Sequence, residues 1–156
     1  YGLAYALLAL GKPQTVYSLM HTFKTNENTE VEDDAVAILG YRNATAVIQG
    51  SFIWPFGRTE IQVYGPRGGL RLVNEKLSLE EAYSPDDPQK KVTTVIEPGP
   101  VAPERKNGIA CFVDCLRTEK EFDIVHSAPF NVMVAEVVDA VYESSRSGYP
   151  VNLAHA

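Results

Sequence analysis

Two cysteines in 156 residues are too few for a disulfide framework. Cys111 and Cys115 sit four apart in a helix-like stretch, so both face one side. They read as small buried apolar side chains, and no His or Cys pair elsewhere completes a zinc set. No uncharged apolar run approaches the ~20 residues that span a bilayer, so no membrane partner is expected. Basic residues are scarce as well. Fourteen Lys and Arg against twenty Asp and Glu leave a net charge of −6, which argues against a grip on nucleic-acid phosphates. Dinucleotide and phosphate-loop fingerprints are missing. The nearest approach, Gly65-Pro66-Arg67-Gly68-Gly69, has strands on both sides and no helix to follow, so it reads as a hairpin turn. No G-x-S-x-G nucleophile elbow occurs.

What remains is an ordinary globular composition, 45% hydrophobic and 22% charged, long enough to bury one core. The chain opens on Tyr1 in what reads as a helix already under way, closed by Gly11 and Pro13. That opening suggests the C-terminal part of something longer. Strands follow at Thr15 to Lys24, Val31 to Tyr41 and Thr45 to Trp54, from alternation and β-branched or aromatic content. Arg42-Asn43-Ala44 reads as a short hairpin turn, with Asn43 able to take a positive φ. Further strands are expected at Thr59 to Tyr64, Leu70 to Val73, Lys76 to Leu79 and Lys91 to Glu97. From Pro98 the pattern turns helical. One helix is read over Pro103 to Thr118. A second is capped by Ser127, striped by Phe130, Val134, Val137 and Val141, and stopped by Gly148 and Pro150. Val151 to Leu153 reads as a last edge strand. Strands followed by helices predict an α+β fold. We expect an open, mostly antiparallel sheet of about six strands with helices on one face and the other face free.

Little of the titratable chemistry is organised. His21 lies in a strand, His126 before a helix cap and His155 at the chain's end, and each reads as structural or surface. Asp33 and Asp34 are adjacent in a strand and point to opposite faces, so they form no acid–base dyad; one of them is expected to cap a turn or bond a backbone group. Asn43-Ala44-Thr45 is a formal glycosylation sequon, relevant only to a secreted chain. The most unusual stretch is Phe52-Ile53-Trp54-Pro55-Phe56-Gly57-Arg58. Aromatic walls and one cation at a strand end suit a polar ring-shaped ligand such as a sugar. The simpler reading is that Trp54 and Phe56 plug the sheet edge.

Four stretches, in order, carry a resemblance to a known family. They are Tyr1-Gly2 through Leu10-Gly11-Lys12-Pro13; Val31-Glu32-Asp33-Asp34-Ala35; Gln49 through Arg58 and on to Val63-Tyr64-Gly65; and Glu136 to Val151. Together they resemble the C-terminal domain of the glucose–fructose oxidoreductase / inositol dehydrogenase (Gfo/Idh/MocA) family. The resemblance implies a parent oxidoreductase of two domains that uses NAD or NADP and acts on a sugar, polyol or related compound. Its cofactor-holding Rossmann domain would lie outside this chain, leaving no cofactor site within it. Residues 1–156 would then be the C-terminal substrate-binding and dimerisation domain, inactive alone. Its free sheet face would make a homodimer.

Carried over by position, Tyr1 falls where the family has a catalytic His, replaced in some members by Tyr, and is the candidate acid/base. Trp54, Phe56 and Arg58 fall in the segment that approaches substrate. Asp33 and Asp34 match a motif with a structural role. Two other readings stand beside this one. The chain could be a non-catalytic interaction module that self-associates through its open face, or half of a NAD-using glycoside hydrolase. A cytoplasmic location is the default expectation.

Overall fold

The computed structural model describes residues 1–23, 31–57, 60–84 and 87–153, with 82–84 and 87–91 described as backbone only. The elements run α1 (Gly2–Leu10), β1 (Thr15–His21), β2 (Asp34–Gly40), β3 (Thr45–Ser51), β4 (Glu60–Gly65), β5 (Gly68–Val73), β6 (Lys76–Ser84), β7 (Asp87–Ile96), α2 (Gly108–Thr118), α3 (Ala128–Ser147) and β8 (Val151–Asn152). Short 3-10 turns occupy Pro103–Arg105 and Ile124–His126. The α+β class and the open antiparallel sheets are as read from sequence. The strands, however, divide into two four-stranded sheets, ordered β3-β2-β1-β8 and β4-β5-β6-β7. The chain likewise forms two compact units, residues 1–54 with 103–156, and residues 55–102. The break falls at Pro55, which has no N–H to extend a ladder.

In the first unit, β1 pairs antiparallel with β2 over its whole length, Val16 opposite Leu39 and Ser18 opposite Ala37. These residues are buried, because α1 and α3 cover that face. Leu7 from α1 and Phe130, Val137, Ala140 and Val141 from α3 complete the core with Leu153. Each such side chain contributes about 1.5–3 kcal/mol on full burial. The stripe read along α3 is therefore its core face. Ser127 caps that helix by accepting the N–H of Phe130, and Gly148 ends it at a φ of 74°, where a side chain would be strained.

The other face of the same sheet carries Tyr17, Leu19, Val36, Ile38 and Val47. Their register follows from the pairs Tyr17–Ile38, Leu19–Val36 and Ile38–Val47. Leu19 is 48% exposed and Val47 69%. This face has an apolar centre, flanked by Thr15, Thr45, Gln49, His21, Asp34 and Ser51 in the same register.

The second unit is a meander in which the pleat separates two chemistries. Ile61, Val63, Leu70, Leu72, Leu77, Leu79 and Ile96 share one face by register. Glu60, Gln62, Arg71, Lys76, Ser78 and Glu80 share the other, where Arg71 lies 3.9 Å from Glu60 and 3.7 Å from Glu80. Asn74 and Glu75 both take positive φ in the two-residue β5–β6 turn, as a type I′ hairpin requires. Asn43 does not. The β2–β3 connection spans Tyr41 to Ala44, closed by the Tyr41 N–H on the Ala44 carbonyl, and this longer loop has no need of the primed turn.

Candidate functional site

Tyr1 stands at the N-cap of α1 with its side chain fully exposed, and its carbonyl accepts the N–H of Tyr5. What fixes its place is Gly2. A Cβ there would lie 2.6 Å from Ile48 Cγ2, so only glycine lets the helix start this close to β3. Three residues beyond the end of β3 comes Trp54, half-buried. Tyr1 is thus anchored on the strand that leads into the aromatic segment. Phe56 belongs to the second unit and is 72% exposed. Arg58 lies outside the described residues.

Asp33 serves the backbone. Its carboxylate accepts the N–H of Phe23 at 2.9 Å, and its carbonyl accepts the N–H of Phe52 at 2.7 Å and the Ser51 hydroxyl at 3.2 Å. It thereby pins the start of the aromatic segment to the end of β1. Asp34 pairs across the ladder with His21 and Ser51.

Two further groupings were not legible in the sequence. Tyr142 on α3 donates its hydroxyl to the Glu32 carboxylate, and Arg146 lies over the Tyr142 ring, 5.8 Å from its centroid. The bond to Glu32 holds the phenol proton and pushes the Tyr142 pKa up, with burial adding to it. An open groove of about 510 Å³ runs past Asp139, Tyr142, Glu143 and Arg146.

The second grouping sits between α2 and the segment that follows it. Cys111, Asp123 and His126 each bring a ligand-type atom within 4.8 Å of the others. Asp123 also pairs with Arg105 at 3.1 Å. Both cysteines are buried, as read from sequence, but Cys111 is not in an apolar setting. Burial, the neighbouring Cys115 thiol and the Asp123 charge all push its pKa up, against a smaller lowering by Arg105.

The Gly65–Gly69 stretch is the turn between β4 and β5, so it offers no helix N-terminus to a dinucleotide phosphate. Residues 1–71, which contain all four candidate site positions, match the family model described as GFO/IDH/MocA C-terminal domain. The match covers a little under half of the chain. The resemblance seen in the sequence is to the same family.

Solved structures extend the likeness in fold to nearly the whole chain. An oxidoreductase from Agrobacterium radiobacter, in complex with NAD+, L-tartaric acid and magnesium, is 23% identical at a TM-score of 0.70, covering 96% of this chain and 46% of that one. An aldose-aldose oxidoreductase from Caulobacter crescentus, complexed with glycerol, is 21% identical at 0.76, covering 98% and 45%. The WlbA dehydrogenase from Bordetella pertussis, in complex with NADH and UDP-GlcNAcA, is 21% identical at 0.66, covering 97% and 42%. At these identities the likeness is one of fold. The chain spans about half the length of these relatives. No curated protein matches it.

Proposed function

We propose that this chain is the substrate-binding and dimerisation domain of a NAD(P)-dependent oxidoreductase acting on a sugar, polyol or related compound. The observation that carries the reading is the match over residues 1–71, which spans Tyr1, strands β1 to β3 and the aromatic segment together. The cofactor would be held by a separate Rossmann domain and would supply the hydride chemistry. This chain's part is to bind and orient. The Tyr1 hydroxyl gives or takes the proton of the reacting substrate hydroxyl. Trp54 would present a ring face to the sugar, and Phe56 and Arg58 are further candidates by their place in the sequence segment alone.

Trp54 is the chain's one tryptophan, so its fluorescence reports the proposed substrate segment alone. Titration with a panel of aldoses and polyols should give a saturable change with at least one of them, lost in Arg58→Ala. A flat response across the panel contradicts the substrate role. The chain by itself should show no NAD(P)-dependent turnover, and turnover by these 156 residues would overturn the division of labour.

The open face with Leu19, Ile38 and Val47 favours the dimerisation part, since a contiguous apolar surface on one side of a sheet is costly to leave in water. A non-catalytic module that self-associates through the same face would form the same dimer and show no response at Trp54.

A further inference from the structure

We propose that Cys111, Asp123 and His126, with Cys115 as fourth ligand, bind one zinc-class divalent cation. The starting point is an oddity of α2. Its only buried residues are the two cysteines, while Phe112 and Leu116 stay 51% and 61% exposed. No residue of α2 belongs to the main hydrophobic core. The cysteines are buried because the chain after the helix folds back over them. Cys111 Sγ lies 3.9 Å from Asp123 Oδ2, and Cys115 Sγ lies 3.7 Å from the Glu121 carbonyl oxygen. His126 closes the third side, its Nε2 being 3.2 Å from where a Cβ on Gly108 would stand.

The residue types select the ion. Thiolate, imidazole and carboxylate together suit zinc and its neighbours, whereas magnesium and calcium take oxygen ligands. Zinc bonds of roughly 2.0–2.3 Å in a tetrahedron put ligand atoms about 3.3–3.8 Å apart. The three ligand atoms here, within 4.8 Å of one another, need close by about 1.5 Å at most. Cys115 is buried one helical turn beyond Cys111, on the same side of the helix. Arg105 holds Asp123 by Oδ1 at 3.1 Å, which leaves Oδ2 facing Cys111 and fixes the carboxylate's orientation from outside the ligand set. His126 immediately precedes the Ser127 cap of α3, so the bound cation would tie α2 to the helix that carries the core. That linkage would give α2 an anchor that its own apolar contacts do not supply.

The test is a cobalt(II) titration of the full chain under reducing, chelator-free conditions. One equivalent should produce the thiolate-to-cobalt absorption and the visible bands of tetrahedral geometry, and zinc should displace them. His126 is exposed, so His126→Gln is expected to keep the circular dichroism of the parent chain while weakening cobalt binding at least about tenfold, a loss that even outer-shell changes reach. Cys111→Ser should abolish the charge-transfer band, and Cys115→Ser should reduce it by about half. No band with the parent chain, or bands unchanged in His126→Gln and Cys111→Ser, would overturn the site. An undiminished band in Cys115→Ser would overturn the fourth ligand.

Discussion

The hydroxyl oxygen of Ser144 on α3 accepts the backbone N–H of Ser18 on β1 at 3.0 Å, and the Ser18 hydroxyl donates in turn to the Val141 carbonyl. Both serines are fully buried. The reason lies in β8, which pairs with β1 only at Thr15 and Val16. Past that point the edge of β1 faces α3, and its N–H groups need a partner. Ser144→Ala leaves the Ser18 N–H buried and unpaired. It should cost about 1–3 kcal/mol, read as a lower urea midpoint at unchanged slope. A variant as stable as the parent chain would show that water or a shifted helix replaces the bond.

The close approach of α1 to β3 makes a second prediction. Gly2→Ala would gain helix propensity on an open helix. Here the new methyl would meet Ile48 Cγ2 at 2.6 Å, so the change should destabilise by about 1–3 kcal/mol. In an Ile48→Ala background the penalty should largely disappear. A double-mutant cycle by chemical denaturation measures the coupling. Additive effects would contradict the contact that places Tyr1.

The Tyr142–Glu32 bond gives a pH dependence of fixed sign. The phenol's pKa is raised above its ordinary 10.0 in the fold, so its contribution is fully present below about pH 10 and is lost as pH climbs through the folded value. Tyr41 is also raised, by burial. Absorbance titration should therefore show a late-ionising phenol signal that falls by one tyrosine in Tyr142→Phe. Unchanged late ionisation in that variant would contradict the bond.

Much of this was legible in the sequence where a local rule applied. Ser127 and Gly148 mark the ends of α3 because capping is a matter of one or two residues. One of Asp33 and Asp34 was expected to cap a turn or bond a backbone group, and Asp33, just before β2, is the one that accepts the Phe23 N–H. The first helix after the strands was read too early, from Pro103. Residues Pro103–Arg105 form a 3-10 turn, and Asn107, whose side chain accepts the Ala110 N–H at 2.8 Å, is the true cap of α2. β6 and β7 run further than alternation suggested, since their antiparallel pairing continues to Ser84 opposite Asp87. The division into two sheets was not legible, since a period of two fixes which way side chains point but not which strands pair. Nor was the Cys111–Asp123–His126 cluster, whose members come together only once the chain folds back on α2.

The reading of the first unit as a dimerising domain rests on the open face of β1, β2 and β3, and solution mass tests it most directly. Light scattering over a concentration series should give twice the chain mass of 17.2 kDa. Leu19→Glu, on the open face and half-exposed, should return the monomer mass with an unchanged circular dichroism spectrum. A parent chain at 17.2 kDa at every concentration, or a dimer indifferent to Leu19→Glu, would contradict the assignment of that face.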